Sequence, residues 1–185
     1  MQVTDSFLPE NVFQYLREYS KPENFQIVKA GDKEYSVIET PEIILDYLEI
    51  PGYEMIMTFI RSAYQGFDND LRIHADNIIQ GKKTALASVL YISTSAETST
   101  NGTAFWKHHN YGLNLPEDVT NEEFDRLLTE DSNDPHKWEL QEIVWADANR
   151  QVVYDSNSFH SKWPQEITVG TRMVLVCFYE KKIDN

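Results

Sequence analysis

Five histidines and one cysteine set the terms for metal chemistry in this chain. With no thiol cluster to draw on, a transition-metal site has to be built from imidazole and carboxylate. His74-Ala75-Asp76 is the first pair with suitable spacing. In an extended segment residues i and i+2 project to the same side, so both side chains can reach one ion without strain. A histidine simply hydrogen-bonded within a turn is the competing reading. The third ligand has to come from far along the chain, and His160, 84 positions beyond Asp76, is the candidate. Arg172 follows 12 positions later, at the start of the run Arg-Met-Val-Leu-Val-Cys-Phe-Tyr. Alternation there places Arg172 with Val174, Val176 and Phe178, opposite Met173, Leu175, Cys177 and Tyr179. Both faces are apolar, so a guanidinium at that point requires an anion, and a carboxylate gripped through two parallel hydrogen bonds suits it best. In so acidic a chain an internal Asp or Glu is the alternative partner.

The elements that must hold these residues are mainly strands. Stretches 54–63, 83–93, 102–106, 140–145, 151–154 and 172–179 read as β-strands. Ahead of them Val12, Phe13, Tyr15, Leu16 and Tyr19 recur at helical spacing after Pro9-Glu10, 25–28 and 34–38 flank the turn-like Ala30-Gly31-Asp32, and Thr40-Pro41-Glu42 starts a short helix to about residue 50. Between Trp106 and Leu140 an acidic excursion carries the capping box Thr120-Asn-Glu-Glu123 into Phe124, Leu127 and Leu128. It is either a lid or an ornament. No repeat or linker marks a boundary, so one domain over 1–185 is expected: a helical layer over about 1–50, a β core over about 53–180 and the helical insertion over about 107–139.

The net charge of −14 repels polyanions, which argues against nucleic acid or an anionic membrane as partner. A single cysteine excludes an internal disulfide and fits a reducing compartment. The amino terminus lacks the features of a secretory signal and no apolar run is long enough to span a bilayer, so the expectation is a cytoplasmic, soluble protein. Lys107-His108-His109 could line a pocket mouth, but adjacent histidines on a strand point opposite ways and do not share an ion. His136 reads as solvated, Cys177 as buried filler, Trp106, Trp163 and Phe178 as core or pocket wall, and Asp68, Asn69, Asp70 and Asn77 as turn chemistry.

The order H-x-D, distant H, then R resembles the Fe(II)/2-oxoglutarate-dependent oxygenase superfamily, in its prolyl-hydroxylase-like branch. Tyr64-Gln-Gly66 leading through Leu71-Arg-Ile to His74-Ala-Asp76 is similar to that branch's Y-x-G segment and H-x-D. Ala85 to Tyr91-Ile-Ser resembles its strand ending in Y-L-N, and Asn149 to Asp155, Phe159-His160-Ser and Gly170-Thr-Arg172 resemble its terminal pattern. Asn101-Gly-Thr-Ala-Phe105 departs from the usual G-G-x-L-x-F. The resemblance implies a double-stranded β-helix, a jelly-roll or cupin-like barrel, with flanking helices. It implies Fe(II) on His74, Asp76 and His160, and 2-oxoglutarate as cosubstrate with its C5 carboxylate on Arg172 and the Tyr91 hydroxyl as second donor. Tyr64 would lie at the metal-proximal end. O2 would be consumed, succinate and CO2 released, ascorbate would support turnover, and a small molecule or peptide side chain would be hydroxylated. The alternative is a non-catalytic cupin-like module binding a small acid or a partner protein. A cupin metalloenzyme without oxo-acid chemistry gives Arg172 no task. Oligomeric state is not legible.

Overall fold

The computed structural model describes residues 1–31, 33–68, 70, 72–93 and 101–182. Asp32, Asn69 and Leu71, which the sequence places in turns or beside the first ligand, lie outside the described residues. The elements run β1 (Gln2–Thr4), α1 (Glu10–Tyr19), β2 (Gln26–Ala30), β3 (Lys33–Glu39), α2 (Glu42–Leu45), β4 (Tyr53–Tyr64), β5 (Ile78–Ile79), β6 (Lys82–Lys83), β7 (Leu86–Tyr91), β8 (Gly102–His108), α3 (Asn121–Arg126), β9 (Trp138–Trp145), β10 (Gln151–Asp155), β11 (His160–Trp163) and β12 (Thr171–Lys181). Seven strands form one sheet in the order β1-β10-β7-β12-β4-β3-β2, and three form a second, β11-β8-β9. All pairings in both sheets are antiparallel. The two sheets enclose a core containing Val89, Val144, Val152 and Val174, which is the expected double-stranded β-helix.

The alternation read in β12 is realised. Leu175, Cys177 and Tyr179 pack with Val12, Phe13 and Leu16 of α1 and with Ile44 and Leu48. Helix α1 stays on that face because its buried residues Val12, Phe13 and Leu16 sit at i, i+1 and i+4, leaving Tyr15 exposed and stacked on Tyr19. Burying each such side chain stabilises the layer by ~1.5–3 kcal/mol.

The first fifty residues are more than a helical layer. β1 and the β2–β3 hairpin supply both edges of the large sheet, β1 pairing with β10 and β3 with β4. Gly102 opens β8 where the chain needs a residue without a side chain, since a Cβ there would sit 2.3 Å from the Val144 carbonyl oxygen of β9. The excursion between β8 and β9 has the expected Thr120–Glu123 capping box at the start of α3, followed by a π-helical turn Leu127–Asp131. It is packed against the candidate site: Leu115, Leu127 and Trp138 form one buried cluster with Ile73, Ala75 and Phe159, the immediate neighbours of the candidate ligands. No helix among the described residues is long and apolar enough to cross a membrane.

Candidate metal centre

Residues 72–76 cross from the end of β4 toward β11 and alternate. Ile73 and Ala75 enter the insertion cluster, so His74 and Asp76 face the other way, into the space between the sheets. Two backbone bonds seat the segment on β11: His74 N–H donates to the His160 carbonyl and His160 N–H to the His74 carbonyl, each at 2.9 Å. Asp76 N–H donates to Ser156 O at 2.7 Å. From behind, Ser132 of the insertion donates through Oγ to the Ile73 carbonyl at 2.8 Å and accepts from Ile73 N–H through its own carbonyl at 3.2 Å.

The result brings His74, Asp76 and His160 together with one ligand atom from each within 4.8 Å of the others. Asp76 Oδ2 lies 3.2 Å from His160 Nε2, and Asp76 Oδ1 lies 3.6 Å from His74 Nε2. Ligands ~2.1 Å from one cation and at right angles are ~3 Å apart, so this spacing fits a shared ion. Each Nδ1 lies beside a carbonyl two residues back, Arg72 O at 3.0 Å for His74 and Ser158 O at 2.9 Å for His160. A carbonyl only accepts, so Nδ1 carries the proton and Nε2 keeps its lone pair for a metal. Burial, reinforced by His160, lowers the pKa of His74. Burial pushes His160 the same way, but the Asp76 carboxylate outweighs it and leaves that pKa raised. Burial would raise Asp76, yet His160 and His74 hold it below the usual carboxylate range.

Across the cavity Arg172 is 7% exposed, and its Nε is a buried donor with no partner. No acidic residue among the described residues forms an ion pair with it; the Tyr91 ring lies 5.9 Å from its guanidinium carbon. Burial therefore pushes its pKa down. Val174, Val176 and Phe178 continue the same wall, with Phe59 and Val89 adjoining.

Two of the expected site residues lie off the cavity lining in the structure. The Tyr91 hydroxyl does not line the cavity; it donates to Thr103 Oγ1 at 2.7 Å and lies 3.2 Å from the Val144 carbonyl. Thr103 does line it, and because it accepts from Tyr91 it keeps its own proton to offer. Tyr64 is 39% exposed and stacks on Phe67, away from the cavity wall. Its Tyr-x-Gly motif is a turn in which Gly66 takes a φ of +76° and Phe67 N–H closes onto the Tyr64 carbonyl.

The sequence reading also passed over cavity residues. Tyr154 is buried on the wall, 4.9 Å ring to ring from His160, and burial together with Asp76 raises its hydroxyl well above its ordinary value, keeping it a donor. Arg61, Arg72 and Lys162 line the same space. The signal for Lys162 was present, since it lies two residues past His160 on a strand and so shares its face. His108, by contrast, is wholly buried within the insertion, far from a pocket mouth, and His136 is exposed. Trp106 donates through Nε1 to Ser161 at 3.0 Å and packs beside the insertion cluster, Phe178 joins the cavity wall, and Cys177 is buried filler as expected.

A model of the family of unknown function DUF6445 matches residues 72–166, a span that begins at Arg72 and takes in all three candidate ligands. The chain belongs to that family. No curated protein sequence matches this DUF6445 member. Among solved structures it is similar to SnoK, a non-heme α-ketoglutarate-dependent carbocyclase from nogalamycin biosynthesis, with a TM-score of 0.62 and 15% identity over 96% of this chain and 78% of that one. HygX from Streptomyces hygroscopicus, solved with nickel and 2-oxoglutarate bound, matches at a TM-score of 0.58 and 12% identity over 98% and 82%. A Pseudomonas putida prolyl-4-hydroxylase matches at 0.55 and 12% over 98% and 92%. At such identities the likeness is one of fold, and the fold is that of the 2-oxoglutarate-dependent non-haem iron oxygenases.

Proposed function

We propose that this DUF6445 protein is an Fe(II)- and 2-oxoglutarate-dependent dioxygenase that hydroxylates a small molecule or a peptide side chain. The observation that carries the reading is the buried, unpartnered Nε of Arg172 on the wall of the cavity into which His74, Asp76 and His160 direct their donors. A cation without an anion is costly in that setting, and a diacid that ligates the metal with one end and meets Arg172 with the other removes the cost.

Two neutral imidazoles and one carboxylate on one face of an Fe(II) ion leave three coordination positions open. Bound iron and 2-oxoglutarate would supply dioxygen activation, with succinate and CO2 as coproducts and hydroxyl delivered to a substrate C–H. The protein's own share is positional. Ser158 and Arg72 carbonyls fix the imidazoles, Arg172 and Thr103 receive the far carboxylate, Tyr154 offers a proton donor near the ligands, and Val174, Val176 and Phe178 keep bulk water from the cosubstrate.

Anaerobic addition of Fe(II) and then 2-oxoglutarate should produce the weak visible metal-to-ligand charge-transfer band. Arg172→Met should weaken 2-oxoglutarate binding about 30- to 100-fold, the equivalent of about 2–3 kcal/mol for a charge-assisted contact. Absence of the band, with no iron- and oxygen-dependent succinate in the presence of ascorbate, would leave the cupin-like binding module standing.

A further inference from the structure

In a chain of net charge −14, four of its 16 lysines and arginines converge on one cavity: Arg61, Arg72, Lys162 and Arg172. Their acidic partners are fewer. Arg61 pairs through Nε and Nη2 with Asp68, which also receives Lys162 Nζ at 3.1 Å. Arg72 pairs through Nε and Nη2 with Asp70, at 2.7 and 2.8 Å. Arg172 has no acidic partner among the described residues. Asp68 and Asp70 thus leave the cations in excess by two, Asp76 being committed to the metal.

The four cations are also graded in depth. Arg172 is 7% exposed and the Lys162 side chain equally buried, whereas the side chains of Arg61 and Arg72 are 23% and 30% exposed and mark the open end. Both arginines spend Nε and Nη2 on an aspartate, and Arg72 is also hydrogen-bonded with Tyr35, so each guanidinium is fixed in place at the cavity lining. They are held rigidly: the Tyr35 ring lies 4.6 Å under the Arg61 guanidinium while its hydroxyl donates to Asp70 at 3.1 Å, linking the two ion pairs. Arg72 also lies two residues from His74, whose ring its carbonyl orients. A pre-ordered pair of guanidinium groups lining the cavity next to the candidate ligands is suited to a planar or tetrahedral anion.

We propose that the primary substrate carries an anionic group, carboxylate or phosphoryl, which Arg61 and Arg72 receive at the open end of the cavity. This rests on the reading of the deeper end as the metal and 2-oxoglutarate site: the cosubstrate's carboxylate matches Arg172, and the remaining excess charge belongs to the Arg61–Asp68–Lys162 group. Neutral and cationic substrates leave that charge unmatched.

Calorimetry on the full chain loaded with Zn(II) and saturating 2-oxoglutarate tests it with three probes of one shape: benzoate, phenyl phosphate and benzamide. One or both anions should bind at least about tenfold more tightly than benzamide, and the better of the two identifies the group. That preference should shrink to about two- to threefold in Arg72→Gln, or in Arg61→Gln if the first variant fails to give a cooperative thermal transition. It should persist in Lys107→Gln, whose ammonium pairs with Glu139 on the surface. Equal affinities for the three probes in the unmodified protein, or a preference that survives both arginine variants, overturn the proposal. Binding of 2-oxoglutarate is scored first: its absence overturns the function reading and this proposal with it, whereas normal binding without anion preference overturns this proposal alone.

Discussion

The molecule contains two buried histidine–aspartate pairs with the same separation. In the cavity His160 Nε2 lies 3.2 Å from Asp76, and in the insertion His108 Nε2 lies 3.2 Å from Asp131. The second pair is closed. His108 Nδ1 accepts the backbone N–H groups of Asn110 and Tyr111 at 3.2 and 3.3 Å, so Nε2 must carry the proton it donates to Asp131. Asp131 also has Lys137 at 3.7 Å, and the imidazole is wedged between Tyr111 and Trp138. Every polar atom of that histidine is committed to the protein. In the cavity pair Nδ1 faces a carbonyl instead, the carboxylate is shared with a second histidine, and no lysine or arginine among the described residues forms an ion pair with it. The contact distance is therefore uninformative about metal binding. What separates the two is whether the ring nitrogen facing away from the acid meets a donor or an acceptor, because that decides which nitrogen keeps its lone pair.

The sharpest way to break this contrast is to remove each imidazole. His160→Ala should lower Fe(II) or Zn(II) affinity by more than about 100-fold, above the 10- to 100-fold typical of outer partners, while His108→Ala should change it less than about threefold. Competition against a chromophoric chelator measures both, and comparable losses would erase the distinction. Stability should show the reverse order. His108→Ala leaves a cavity and takes the nearer partner from the Asp131 carboxylate, and should cost about 3 kcal/mol in urea unfolding, with the metal-free protein losing less from His160→Ala.

A smaller effect concerns pH. Burial holds the pKa of His108 below its ordinary 6.5. The unfolded chain then binds the proton more readily than the folded one, so the stability this residue contributes is complete above pH 6.5 and is lost as pH falls from there toward the depressed folded value. His108→Gln should flatten that part of a melting-temperature profile, and an unchanged slope would place the titration elsewhere. Smallest of all, Ser132→Ala removes the bond from the insertion to the Ile73 carbonyl and should cost about 1 kcal/mol with only a few-fold loss of metal affinity.

The residues legible in the sequence share a feature: each follows from neighbours within a few positions. His74 and Asp76 on one side, the two faces of β12, the buried stripe of α1 and the Thr120 capping box are consequences of backbone period and local hydrogen bonding, and the structure reproduces each. The pairing of Lys162 with Asp68, 94 positions apart, and of β1 with β10 has no local signature. The side-chain contacts of Tyr91 and Tyr64 have no local signature either. A residue can sit at the right point of a motif while its side-chain tip is captured by Thr103 and Val144, or turned outward by a glycine turn.

Residue order was thus enough to put His74 and Asp76 on one side of their segment and to name the strand carrying Arg172, because covalent geometry alone sets which side chains along one segment share a face. Sheet closure decided the rest: that Arg172 would find no acid among the described residues, that Thr103 and Tyr154 would reach the cavity, and that the insertion would brace the candidate ligand segment from behind. Those outcomes depend on which distant segments the two sheets press together, and desolvation between them turns an ordinary arginine into an unmatched charge.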